Sequence, residues 1–199
     1  MYLFSFDVSS FIQTAGYAGI FGIVFAESGL LFGLFFPGDS LLLTSGLLAS
    51  QGFLSLPFLI IVTFSGAVLG DSVGYWFGAK TGPKIFRKQD SLFFKKDHIR
   101  RAQEFYAQHG GKAIVLARFI AVVRTFAPIV AGVANMRYGD FLFYNIAGAF
   151  AWAVGIPLAG YFLGQAIPHI DRYFLPIVLC IIVLSILPGL IVLFRGRKR

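Results

Sequence analysis

Glu27, Asp39, Arg118 and Arg124 are ionisable residues set in strongly apolar sequence, and together they could bind an anion and move protons. The arginines lie within residues 113–136, AIVLARFIAVVRTFAPIVAGVANM, a stretch apolar enough to enter a bilayer and expected to break at Pro128. Each arginine placed centrally in a lipid-facing helix would cost ~2.5–3.5 kcal/mol, and no acid within that stretch offsets it. The acids lie within residues 27–50, ESGLLFGLFFPGDSLLLTSGLLAS, expected to break at Pro37-Gly38. One segment holds the bases and the other the acids, so the chemistry requires them to meet. A guanidinium gives two parallel hydrogen bonds to a phosphate or carboxylate and stays charged when partly buried. A carboxylate beside it can bind a proton, or act as the counter-ion while the anion is absent. Protonating Glu27 or Asp39 weakens that pairing and frees the arginines for an anionic headgroup, which is a route to proton coupling. The alternative is a structural ion-pair network that holds one segment against the other. Four ionisable groups in apolar, broken segments are a costly way to do only that, so transport is the stronger reading. Residue order does not determine which acid meets which arginine.

The elements that must position these groups belong to a membrane protein. The chain of 199 residues is 57% hydrophobic and 13% charged, with 24 phenylalanines, whereas a soluble domain uses about 25% charged residues to cover its surface. The net charge is +8, but the bases are grouped: eight of the seventeen lie between Lys80 and Arg101, and four more are Arg195, Arg197, Lys198 and Arg199. Such clusters mark cytoplasmic segments. A nucleic-acid partner is disfavoured, because no folded basic domain accompanies them. The single Cys180 excludes a disulfide framework. His98 and His109 read as surface residues without metal-ligand spacing, and neither a metal nor another cofactor is expected beyond protons as a coupling ion. The N-terminus has no basic leader and no cleavage pattern, so it is expected to be retained.

In chain order, residues 1–18 read as an interfacial N-terminal segment and 19–52 as a first re-entrant hairpin, since Ser40 to Ser50 is too short for the roughly 20 residues of a helical span. Residues 54–79 form a transmembrane helix whose Ser65, Gly66, Gly70, Gly74 and Gly78 make a face for close helix approach, and that face permits a homodimer. Its one charge, Asp71, reads first as an acid near the helix end, reaching the interface or capping a neighbour. Its sharper reading is an accessory proton site. Residues 80–111 are a basic loop and helix ending at a Gly110-Gly111 cap, 112–136 a second re-entrant hairpin, 141–167 and 173–194 transmembrane helices, and 195–199 a basic tail. His169 falls in the short connection between the last two spans. Placing loop 80–111 in the cytoplasm puts the C-terminus there too, because each hairpin returns the chain to its starting side.

A shift of 86 residues superimposes the two halves without a gap. It sets Gly46 on Gly132, Phe64 on Phe150, Ala67-Val68 on Ala153-Val154, and GYWFG at Gly74 on GYFLG at Gly160. The same shift sets Gly38-Asp39 on Arg124-Thr125. The expected fold is therefore an all-α polytopic membrane protein. It has two inverted repeats, each a re-entrant hairpin plus a transmembrane helix, and an additional C-terminal transmembrane helix. Many secondary transporters use such repeats around a midplane site.

The stretches FAESGLLFGLFFPGDSLLLTSGLLAS, GDSVGYWFGAKTG and ARFIAVVRTFAPIVAGVANMRYGDFLFYN resemble the DedA family, also described by its VTT or SNARE-associated domain, over roughly residues 20–168. The resemblance implies two opposed re-entrant hairpins in a bacterial inner-membrane protein. For several members it implies lipid translocation, with undecaprenyl phosphate and phosphatidylethanolamine as substrates, and it makes Glu27, Asp39, Arg118 and Arg124 the functional acids and arginines. Two positions depart from the family pattern: PGDS at Pro37 to Ser40 stands for Pro-x-Pro-x-Glu, and Ile120-Ala121 stands for Ile-Pro.

The leading expectation is a proton-coupled lipid transporter for undecaprenyl phosphate or a related phospholipid, with Arg118 and Arg124 on the phosphate. A scramblase for phosphatidylethanolamine or phospholipids in general is the near alternative. A lipid phosphatase needs a nucleophile and base, and His98, His109 and His169 all lie outside the apolar segments, so an enzyme is not expected. A proton or cation antiporter, with the acids as its site, is the remaining class.

Overall fold

The computed structural model describes residues 8–30, 38–87 and 110–166. Among them the regular elements are all helical: α1 (Val8–Gly29), α2 (Gly38–Ser50), α3 (Leu56–Arg87), α4 (Lys112–Ala117), α5 (Ala121–Val133), α6 (Tyr138–Ala149), a π turn (Phe150–Val154) and α7 (Gly155–Ala166). Two stretches are long and apolar enough to cross a bilayer: Leu56–Gly82, 27 residues, and the continuous Tyr138–Ala166, 29 residues. At 1.5 Å per residue each exceeds the ~30 Å hydrocarbon thickness. Phe58, Ile61, Leu69, Trp76 and Phe77 on the first, and Phe143, Ile146, Phe150 and Phe162 on the second, are exposed. Small and polar residues lie inside, among them Thr63, Ala67, Asp71, Asn145, Ala149 and Ala153. Large apolar groups outward and polar groups inward is the reverse of a soluble bundle and suits a lipid solvent.

The helices pack in parallel pairs through glycines. Along α3, Gly66 meets Phe21 and Gly70 meets Phe25 and Ser28 of α1, while Gly74, Gly78 and Gly82 meet Pro128, Ile129 and Val133 of α5. Along α7, Gly160 meets Leu43 and Gly164 meets Leu47 and Ser50 of α2. Gly74 against Ile129 and Gly160 against Leu43 are contacts displaced by 86 residues in both partners.

At Gly132 a Cβ atom would run into the backbone of Tyr75 and Ala79, which cannot move aside as a side chain can. Gly155 faces open space. Gly132→Ala is therefore expected to lose about 1–3 kcal/mol by overpacking and to lower the thermal unfolding midpoint in detergent. Gly155→Ala should hold or raise that midpoint, since alanine is the better helix former. Equal midpoints for the two variants would contradict the close approach.

Several sequence boundaries are corrected. Residues 8–18, read with the interfacial segment, are the first turns of α1, which runs unbroken to Gly29. The first span continues past Ala79 to Arg87, with Thr81 Oγ1 donating to the Phe77 carbonyl at 2.7 Å. The loss of apolarity at Lys80 ends the hydrophobic stretch without ending the helix. The segment 112–136 does not break at Pro128, which sits inside α5. It breaks at Arg118 to Ile120, where Ile120 is extended at φ −116° and ψ 106°. Proline removes one helical hydrogen bond, and its ring fills the space opposite Gly74. The second span begins at Tyr138 rather than Phe141 and contains the π turn.

Helix α5 ends in a Schellman motif: Met136 N–H donates to Ala131 O and Asn135 N–H to Gly132 O, each at 3.1 Å, with Asn135 left-handed at φ 57°. Gly110 is also left-handed, at φ 60°, where a helix C-cap was expected. The expectations for most of loop 80–111, for residues 173–194 and the tail 195–199, and for His98, His109, His169 and Cys180 lie outside the described residues.

Candidate functional site

Five elements converge on one buried polar cluster. The C-terminal turn of α1 carries Glu27, the first turn of α2 carries Asp39, and the middle of α3 carries Asp71. The break between α4 and α5 carries Arg118, and the first turn of α5 carries Arg124. Glu27, Asp71, Arg118 and Arg124 are each no more than 3% exposed, whereas the Asp39 side chain is 57% exposed. Asp39 is therefore the mouth of the cluster. Its place at the start of α2 sets its negative charge on the positive end of that helix.

The arginines have different partners. Arg124 donates through Nη2 to Glu27 and through Nη1 to Asp39 at 2.9 Å. Arg118 donates through Nη2 to Asp71 and to Asn145 Oδ1 at 3.3 Å. The Asn145 amide in turn donates to the Val68 carbonyl at 3.1 Å, which orients it on α3. Asp71 is thus neither at a helix end nor a cap, the reading preferred from sequence. It lies mid-helix because α3 continues to Arg87, and it is the counter-ion of Arg118.

Trp152 joins the two ion pairs. Its ring centroid is 4.4 Å from the Arg124 guanidinium carbon and 5.9 Å from that of Arg118, both within cation–π range. Its indole N–H donates to Asp39 at 2.6 Å. Trp152 sits at the centre of the π turn, a local widening that recurs at functional sites. Thr63 of α3 reaches across to the Ala153 carbonyl in that turn at 2.9 Å. Both Trp152 and Asn145 escaped the sequence reading. The available signals were a tryptophan far from either end of an apolar run, against its usual interfacial place, and an amide in the same run.

A small cavity of about 10 Å3 lies beside the arginines, lined by Asp71, Ile114, Arg118, Arg124, Ala127 and Pro128. That is room for about one water. Three of these residues keep a buried polar atom without a hydrogen-bond partner: Asp71 Oδ1, Arg118 Nη1 and Arg124 Nε. Among the described residues no group of histidine, cysteine and acidic side chains is arranged to hold a metal.

Gly38 abuts the cluster, and a Cβ there would occupy the place of the Glu27 carboxylate. Gly38→Ala is expected to push Glu27 off Arg124 and to lose part of the ~3–5 kcal/mol that breaking a buried pair costs. A lowered unfolding midpoint, partly recovered by adding the shorter acid of Glu27→Asp, would bear this out. An unchanged midpoint in Gly38→Ala would count against it.

The VTT domain matches residues 36–162 of this chain, a segment that holds every member of the cluster except Glu27. Protein DedA of Escherichia coli K12 is 41% identical over 184 residues, covering 92% of this chain and 84% of that protein. The chain belongs to the DedA family of membrane proteins. An uncharacterized membrane protein of Mycobacterium tuberculosis H37Rv is 45% identical over 190 residues, with 90% of this chain and 81% of that protein covered. Inner membrane protein YqjA of Escherichia coli K12 is 32% identical over 170 residues, with 85% and 77% covered. No solved structure matches the chain.

Proposed function

We propose that this DedA-family protein moves a phosphate-bearing lipid, undecaprenyl phosphate first among candidates, across the bacterial cytoplasmic membrane with proton coupling. The observation that carries this reading is the pairing of two buried arginines with carboxylates in the apolar interior, one of which, Asp39, opens to the surface. Arg124 is level with the middle of the long helix Tyr138–Ala166, since Trp152 stands at its centre. A headgroup reaching Asp39 from the side would meet Arg124 first and Arg118 behind it, while its acyl or prenyl tail stays in lipid. Phosphate exchanges carboxylate for phosphate oxygens on the same guanidinium donors, and protonation of the displaced acid removes its competition. The ion pairs are thus the resting form and the phosphate complex the loaded one, with no bond made or broken in the lipid.

The two segments that carry these groups act in this reading as re-entrant hairpins of inverted repeats. Loop 80–111 and the C-terminus are cytoplasmic, and each hairpin is approached from an opposite side. A second reading, movement of phosphatidylethanolamine or of phospholipids generally, is favoured by the exposed carboxylate of Asp39 beside the arginines, because a zwitterionic headgroup carries an ammonium for it.

The test reconstitutes the protein in liposomes with labelled undecaprenyl phosphate in one leaflet and follows its arrival in the other, with and without a pH gradient. Protein-dependent movement that responds to the gradient supports the proposal. Movement of phosphatidylethanolamine alone transfers the mechanism to that lipid. Ion-driven proton flux without lipid movement would instead identify an antiporter and overturn it.

A further inference from the structure

Arg118 has its own acid. Had both arginines shared Glu27 and Asp39, protonation there would free both. Instead Asp71 holds Arg118 from within α3, and Glu27 and Asp39 hold Arg124. The charged groups facing Asp71 are Arg118 from the α4–α5 break and Arg124 from α5, with neutral Asn145 from α6 and Glu27 of α1 beyond Arg124. We propose that Asp71 is a second proton carrier of the transport cycle, so that one phosphate headgroup dianion enters together with two protons, one on Asp71 and one on Glu27. This inference rests on the phosphate-lipid reading above.

Two features support it. The first is charge balance. Three carboxylates and two guanidiniums leave the cluster with one net negative charge. A dianion entering alone would make it three, an expensive change in an apolar interior. Two protons restore the starting charge, and the two buried acids paired with the arginines, Glu27 and Asp71, are the groups that can take them. Asp39 is exposed at the mouth and is not one of the buried pair.

The second is the donor set of the cavity. Arg118 Nη1 and Arg124 Nε are donors and Asp71 Oδ1 is an acceptor, and all three lack partners. A water molecule that accepts from both guanidiniums and donates to the Asp71 carboxylate satisfies all three. A phosphate oxygen in its place accepts from the same two donors and, once Asp71 is protonated, from the carboxylic acid O–H as well. Each carboxylate takes its proton from the aqueous phase, and each returns it when the headgroup leaves.

The experiment is calorimetric titration of the detergent-solubilised full-length protein with farnesyl phosphate at pH 8, in buffers of different ionisation enthalpy, which counts protons taken up per bound headgroup. At that pH the probe is already a dianion, since its second ionisation lies near pH 6. The wild type should take up two protons, Asp71→Asn one, and Asp71→Glu two. A wild-type count of one or fewer overturns the inference without any variant, so a misfolded Asp71→Asn does not rescue it. Binding with the same count in wild type and Asp71→Asn also overturns it, leaving the transport reading in place. Absence of binding in the wild type removes the phosphate-lipid reading itself, and this inference with it.

Discussion

Arg124→Ala is expected to abolish protein-dependent movement of a phosphate lipid in liposomes. Truncating one partner of a buried, hydrogen-bonded charge pair costs about 2–5 kcal/mol, equivalent to a fall of roughly 30-fold to several-thousand-fold in affinity for the headgroup. Arg124 is also the shared counter-ion of Glu27 and Asp39. Its loss leaves Glu27 buried without a partner, which lowers stability by about 3–5 kcal/mol. The two effects separate in the double variant Arg124→Ala/Glu27→Gln. Removing the orphaned charge should bring the unfolding midpoint back toward wild type while lipid movement stays lost. Arg124→Ala liposomes that move the lipid at half the wild-type rate or more would show that the guanidinium does not hold the headgroup.

Trp152 carries the second large effect. Its ring lies against both guanidiniums and its N–H holds Asp39. Trp152→Ala removes these contacts and opens a core cavity, and large-to-small aromatic substitutions of this kind cost about 3–5 kcal/mol. Trp152→Phe keeps an aromatic face and most of the volume but loses the indole hydrogen bond to a carboxylate, worth about 1.5–3 kcal/mol. The expected pattern is a strongly lowered unfolding midpoint for the alanine variant. For the phenylalanine variant we expect a smaller fall in the midpoint than for the alanine variant, with lipid movement reduced at least about tenfold. Wild-type movement in Trp152→Phe would reduce the indole to packing and remove its role in holding Asp39.

Both variants act on residues of very different legibility. Arg124 was evident from the sequence because a permanent charge in apolar surroundings is costly wherever the chain folds, and that cost follows from residue type and neighbours alone. The same reasoning brought out Glu27, Asp39 and Arg118, and composition brought out the membrane. Trp152 was hidden because tryptophan is apolar enough to be lipid-facing. Its inward direction depends on the π turn, and nothing in FAWAV announces an extra residue per turn. Asp71 is visible in the sequence but its place is not, since the apolar stretch ends at Ala79 while the helix runs on to Arg87.

Local chemistry therefore determined the class of protein, two apolar helices long enough to span a membrane, the family and the charged residues of the candidate site. Partner choice belonged to the tertiary structure. Arg118 meets Asp71 across 47 residues, while Arg124 meets Asp39 across 85 and Glu27 across 97. Which pairs form depends on where glycine-lined helices cross and on the chain turning at Arg118 to Ile120 rather than at Pro128. A carboxylate attracts either guanidinium equally well, so only the backbone positions that bring one within hydrogen-bond reach and leave the other outside it decide between them.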